Sequence, residues 1–223
     1  MPIRRLKKSF ISVTGLFFSQ KLGRLVQFDS ILERDFTLLL DMHPAVRWFE
    51  EQPLRIRWLD GAGGEQSYVP DFRLDFFQEI KFLGKRVQTH WLVETKYRSD
   101  LAENWGQLRP KLRAGVAEAR RQCGAFHVIT ELEIRGPALA NAQFLRKFLN
   151  SSPDPDLLHR LAAAVIEHGP TTVEHLAGAF AKELNSTDAA YQILWSAIAR
   201  GLIKTDFETP LSPTSCIWAE EKR

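Results

Sequence analysis

Tyr68-Val69-Pro70-Asp71-Phe72-Arg73-Leu74-Asp75-Phe76 and Trp91-Leu92-Val93-Glu94-Thr95-Lys96 are the two stretches whose reading decides the fold. In the first, Phe72, Leu74 and Phe76 alternate with Asp71, Arg73 and Asp75. That is the period of a strand with one face in a core and the other lined by ionisable groups. The second is apolar as far as Glu94, as expected of a central strand. Residues i and i+2 of a strand share a face, so Glu94 and Lys96 project together, and Asp71 can approach them from an adjoining strand. Charges inside a central strand need a compensating partner or a task, because burying them alone is costly.

Working outward, Ser30 opens a helix whose apolar Leu32, Phe36, Leu39 and Leu40 keep helical spacing and which ends near His43-Pro44. Leu54, Ile56 and Trp58 alternate with Arg55 and Arg57 up to Asp60-Gly61-Ala62-Gly63-Gly64, a hairpin signal, and the chain returns through Tyr68 and Val69. Downstream, Leu101, Trp105, Leu108, Leu112, Val116, Ala119 and Cys123 step by three or four. They describe an amphipathic helix that Gly124 stops and that Pro110 is expected to kink or divide. Phe126 to Thr130 reads as a further strand, joined to the Glu94 strand by this helix as a crossover. The expected fold class is α/β, a mixed sheet flanked by helices.

The turn-rich cluster Asn150-Ser151-Ser152-Pro153-Asp154-Pro155 reads as a linker. Beyond it, three helical patterns over 157–168, 172–182 and 188–200 precede a β-hairpin built from 202–205 and 215–218, which together resemble a winged helix. The expected division is a basic N-terminal arm over 1–24, an α/β domain over 25–150, a linker over 151–155 and a winged-helix domain over 156–223. The pattern at Tyr191, Ile193, Leu194, Trp195 and Ile198 is largely apolar with only Arg200 as a base. It suits a core or protein contact better than major-groove reading.

The 223 residues are 44% hydrophobic and 26% charged, an ordinary globular composition that excludes disorder and collagen-like repeats. No stretch reaches the roughly 18 apolar residues of a membrane span, and the start lacks an apolar signal core, so a cytoplasmic location is expected. Cys123 and Cys216 make no C-x-x-C pair, which argues against a disulfide framework or a thiolate zinc site. The net charge is only +3, but its distribution is uneven. Arg4, Arg5, Lys7, Lys8, Lys21 and Arg24 fall in a stretch without an acid, and Arg109, Lys111 and Arg113 cluster on the crossover helix. Arg4, Arg5, Lys7, Lys8, Arg109, Lys111 and Arg113 are the candidates for holding phosphates, against the alternative of solvated surface.

Several chemistries are absent from the sequence. The Gly61 to Gly64 run lacks a dinucleotide fingerprint, and there is no P-loop lysine motif, no H-E-x-x-H pair and no G-x-S-x-G elbow. Asp71, Glu94 and Lys96 remain. Two carboxylates beside an ammonium suit a hard cation such as Mg²⁺, with Mn²⁺ as substitute, whose charge makes a bound water nucleophilic. Lys96 could orient that water or stabilise charge on a phosphate. The alternative for each half is a surface ion pair or a turn. Glu33 fits a capping box with Ser30, and spacing alone favours that role.

The ordered segments Phe17-Phe18-Ser19-Gln20-Lys21-Leu22-Gly23-Arg24, Phe28 to Phe36, Phe49-Glu50-Glu51-Gln52-Pro53, Tyr68 to Phe72, Val93 to Lys96 and Ile129 to Ile134 resemble the TnsA family, the endonuclease subunits of heteromeric cut-and-paste transposases. The resemblance implies a restriction-endonuclease-like fold. It also implies catalytic Glu33, Asp71, Glu94 and Lys96, with Glu33, Asp71 and Glu94 as metal ligands; some relatives have Gln at the position of Glu94. Implied too are hydrolysis of DNA phosphodiesters at the 5′ ends of a mobile element, an RNase-H-like transposase partner for the 3′ ends, and an ATPase target-selection regulator. The competing expectations are a stand-alone restriction or repair nuclease of the same superfamily, and a non-catalytic winged-helix DNA-binding or adaptor protein.

Overall fold

The computed structural model describes residues 13–77, 81–87 and 90–220. The chain divides into two compact units, Met1–Gly136 and Pro137–Arg223. The first unit opens with a hairpin of β1 (Gly15–Ser19) and β2 (Arg24–Phe28), then α1 (Ile31–Met42), β3 (Val46–Glu51) and a second hairpin of β4 (Ile56–Leu59) and β5 (Glu65–Tyr68). β6 (Phe72–Phe76), a small hairpin of β7 (Lys81–Phe82) and β8 (Lys85–Arg86), β9 (Trp91–Thr95), the long α2 (Arg98–Arg121), β10 (Ala125–Ile129) and α3 (Glu131–Ile134) complete it.

Its main sheet has the order β10-β9-β6-β3, with β10 parallel to β9 and the other two pairs antiparallel. The mixed sheet and the crossover helix are therefore as the periodicity predicts. Phe72, Leu74, Trp91 and Val93 lie on one face and are buried, with Phe36 of α1 edge-on to Phe72 at 5.3 Å between ring centres. All five residues of β9 are buried, including Glu94 and Thr95.

Two expectations need correction in this unit. The stretch 1–24 is not wholly an arm, since β1 and the start of β2 lie in it and two of its bases serve the fold. Lys21 places its ammonium on the carbonyls of Leu40, His43 and Val46, and Asp41 accepts from the Lys21 amide and the Ser19 hydroxyl, so the end of α1 is closed by a remote loop. Burial holds the Lys21 ammonium down at about 7, against the raising effect of Asp41. Arg24 makes a bidentate pair with buried Glu51 at 2.6 and 2.7 Å. In α2 the irregularity sits at Asn104 (φ −111°, ψ 16°), while Pro110 stays within the helix. Asn adopts this bridge-region backbone readily and Gly106 follows it closely, so the weak point lies upstream of the proline.

The second unit begins earlier than the expected linker. It contains α4 (Pro137–Leu149), α5 (Pro155–His168), β11 (Thr171–Thr172), α6 (Val173–Leu184), α7 (Thr187–Ala199), β12 (Lys204–Thr205) and β13 (Cys216–Trp218). The strands form a small antiparallel sheet in the order β11-β13-β12. α4 belongs here because Phe144 meets Trp195 of α7 at 5.0 Å between ring centres. Asn141 also donates to the carbonyls of Phe207 and Thr209 and accepts from the Leu211 amide. Residues 151–154 are the link between α4 and α5 inside this unit, held by Arg200 donating to the carbonyls of Phe148, Leu149 and Ser151. Trp195 and Ile198 are buried, as the apolar pattern of α7 implies.

Candidate active site

The chain reaches Asp71 just before β6 begins, and Glu94 and Thr95 close β9, with Lys96 next along the chain. Thr95 joins the two strands. Its amide and hydroxyl donate to Oδ2 of Asp71 at 2.7 and 2.8 Å, while the Asp71 carbonyl accepts from the Gln52 amide at 2.8 Å. Gln52 takes a left-handed backbone (φ 48°), which turns the end of β3 toward this strand opening. The Lys96 amide continues the parallel pairing by donating to the Ile129 carbonyl. Its ammonium lies 3.2 Å from Oε1 of Glu94 and donates to the Thr95 carbonyl.

Glu94 is 2% exposed, and a second cation meets it. Lys111 of α2 donates to the same Oε1 at 2.7 Å, while Oε2 is buried and has no hydrogen-bond partner. The Lys111 ammonium also lies 5.6 Å from the centre of the Tyr68 ring. α2 can come this close because residue 115 is glycine. A Cβ there would lie 2.1 Å from the Tyr68 hydroxyl oxygen and 2.4 Å from the Phe126 ring.

Glu33 caps the start of α1, but its carboxylate takes the amide of Asp29, one residue before the Ser30 amide that a capping box would engage. The Ser30 hydroxyl accepts from the Glu33 amide, and the Glu33 carboxylate accepts from the Asp29 amide at 2.7 Å and from the Ser30 hydroxyl. Its charge still reaches the centre. Burial raises the Glu33 carboxyl above its ordinary value; the hydrogen bond from the Asp29 amide opposes this, the Asp29 carboxylate adds to it, and the Ser30 hydroxyl and Lys96 oppose it. Burial, then Glu94, then Glu33 push Asp71 up to about 8 against the pull of Lys96 and of the Thr95 amide. For Lys96, burial works against the charged form, but Asp71, Glu94 and Glu33 outweigh it and hold the ammonium above its usual value. Burial, Glu94 and Asp71 together raise the Tyr68 phenol.

Among the described residues, no three His, Cys, Asp or Glu side chains form a set that could hold a metal ion by themselves. The expected trio of Glu33, Asp71 and Glu94 is thus not drawn together as a ligand set, because the Glu33 carboxylate is engaged by the start of α1. Asp71 and Glu94 do fit a hard divalent cation. Their donors are carboxylate oxygens, one buried oxygen of Glu94 lacks a partner, and Asp71 is raised by burial and then by the charge of Glu94. Mg²⁺ commonly binds through one or two carboxylates with retained waters.

Of the bases expected on DNA phosphates, Lys111 is turned to Glu94, whereas Arg109 and Arg113 are exposed. Arg4, Arg5, Lys7 and Lys8 lie outside the described residues. Two participants escape sequence reasoning. Thr95 reads only as a β-former between two charges. Lys111 reads as one base among several, although its four-residue spacing from Gly115 marks a close helix approach.

Residues 43–131 match the family model described as TnsA-like endonuclease N terminal. The matched segment spans Asp71, Glu94, Thr95, Lys96 and Lys111 and begins beyond Glu33. No curated protein matches the chain. No helix among the described residues is long and apolar enough to cross a membrane.

Proposed function

Because the chain carries a TnsA-like endonuclease N-terminal domain, we propose that it is the DNA endonuclease subunit of a heteromeric transposase, hydrolysing phosphodiesters at the 5′ ends of a mobile element in the cytoplasm. The observation that carries this reading is the joining of Asp71, Glu94 and Lys96 at the end of two adjacent strands inside the matched segment. An RNase-H-like transposase acting on the 3′ ends and an ATPase target-selection regulator are the proposed partners. The order α5, β11, α6, α7, β12, β13 supports a winged helix in the second unit.

Asp71 and Glu94 are the residues proposed to hold Mg²⁺, or Mn²⁺ in its place. When bound, the cation supplies an activated water and neutralises charge on the phosphate. Thr95 fixes the Asp71 carboxylate through Oδ2, so its orientation is set before DNA arrives. Lys96 is kept protonated by the surrounding carboxylates and presents a fixed positive charge where negative charge grows on a phosphate oxygen. Glu33 strengthens that charge from the helix start without leaving its cap. Arg109 and Arg113 would hold the duplex by its phosphates, independently of sequence.

The test is reconstitution with the neighbouring transposase on end-labelled element DNA, with the two strands resolved separately. Asp71→Ala and Lys96→Ala should each abolish the 5′ cuts while 3′ joining persists and yields fused replicons. Loss of both cuts together in assembled complexes would overturn the division of labour. Robust cutting of unrelated naked DNA by the purified chain alone would favour a stand-alone nuclease.

A further inference from the structure

Lys111 reaches the centre from α2, and its contact is more than the local charge balance requires. Buried Glu94 already has Lys96 at 3.2 Å, yet Lys111 takes the same Oε1 at 2.7 Å, and Oε2 is left buried and bare. Two ammonium groups on one oxygen and none on the other is a poor way to satisfy a carboxylate that serves only the fold. The Lys111 side chain is 23% exposed and lies beside the Tyr68 ring, so its ammonium has a route to water that leaves the backbone of α2 in place. Lys96 is about as exposed, at 25%, but has a second acceptor in the Thr95 carbonyl beside its own strand.

We propose that Lys111 is a placeholder cation, a positioning residue that holds Glu94 in register until a divalent metal ion displaces its ammonium. This rests on the reading of Asp71 and Glu94 as the metal-holding pair. A cation arriving on Glu94 repels an ammonium on the same carboxylate, so binding of one disfavours the other. Lys111 therefore sets how tightly the centre takes its metal, and it spares buried Glu94 from being left underpaired when the metal is absent.

The proposal makes a prediction of sign. In calorimetric titration of the full chain with Mn²⁺, Lys111→Met should bind about tenfold more tightly than wild type, since a like charge within a few ångströms typically shifts a site by a decade or more. Lys111→Arg, which keeps the charge and can fork onto the carboxylate, should bind no more tightly than wild type. Thermal melting gives a second readout. Lys111→Met should melt lower than wild type in chelator but gain more on adding Mn²⁺. A merely structural lysine would weaken metal binding and stability together. Should Lys111→Met fail to fold in chelator, Lys111→Gln replaces it with the same expected sign.

Unchanged or weaker Mn²⁺ binding by a folded neutral variant, beside an Asp71→Ala chain that binds none, would sink the placeholder and leave the nuclease reading standing. Absence of Mn²⁺ binding by the wild-type chain would remove both.

Discussion

Asp71 shows how much one carboxyl group can contribute to pH behaviour when its neighbours are fixed. Its ordinary value of 3.8 is pushed up to about 8, chiefly by burial and then by Glu94. A raised acid means that the folded protein keeps a proton that the unfolded chain has already lost. The associated stability is complete below about pH 4 and is lost as pH climbs through 8. In chelator, the wild-type chain should therefore become less stable across this window. Asp71→Asn, which still accepts from Thr95, should flatten that decline and be the more stable protein at pH 8, by on the order of a few kcal/mol. Urea denaturation at pH 5 and pH 8 measures it, and parallel pH slopes for the two proteins would refute it. Lys96 is the complementary case, since the same carboxylates keep its ammonium charged through the working pH range.

At the scale of elements, the decisive contact is the seating of α2 on the sheet. Leu112, Gly115 and Ala119 are its buried residues, spaced as one helical face, and Lys111 stands at the edge of that face. Gly115→Ala would place a methyl group against the Tyr68 hydroxyl and the Phe126 ring, both held by strands. The helix must then lift. A loss of about 1–3 kcal/mol in stability is expected, of the size seen when extra methyl groups are forced into packed interiors. Chemical denaturation of the variant checks this, and a stability equal to wild type would mean that the helix is not seated by this contact. α1 depends similarly on a neighbour, because the Lys21 ammonium bonds the Leu40 carbonyl in its last turn and the His43 carbonyl at its cap, and ties both to the Val46 carbonyl that opens β3.

For the whole molecule, the boundary between the units has measurable consequences. Asn141 uses both its amide nitrogen and its carbonyl oxygen on the loop over 207–211, and Phe144 packs on Trp195. A fragment over 137–223 should unfold cooperatively. One over 156–223, which follows the boundary suggested by the Ser151 to Pro155 cluster, lacks those ties and should be less stable by at least about 3 kcal/mol, the sum of three lost hydrogen bonds and an aromatic contact. Urea unfolding of both fragments tests this, and equal midpoints and slopes would return α4 to the first unit. The cluster misleads because turn residues mark where a helix stops, whereas a unit boundary depends on where contacts stop.

Local physics was enough for much of this protein. Alternation of apolar and charged residues along β6, the apolar run of β9, the helical step of α2 and the Gly-rich turn between β4 and β5 are dictated by residues near one another in the chain. The same holds for the cap at Ser30 and Glu33, and for Glu94 and Lys96 projecting together at the end of β9. What only tertiary structure decided are meetings between distant residues of unremarkable type: Thr95 with Asp71, Lys111 with Glu94, Lys21 with the end of α1, and Asn141 with the loop after β12. A hydroxyl, an amide or a lysine can find many partners, and its sequence neighbours do not restrict the choice. The pairing of β6 with β9 and the close approach that Gly115 permits select one partner, and the low exposure of the Glu94 carboxylate makes that selection costly to undo.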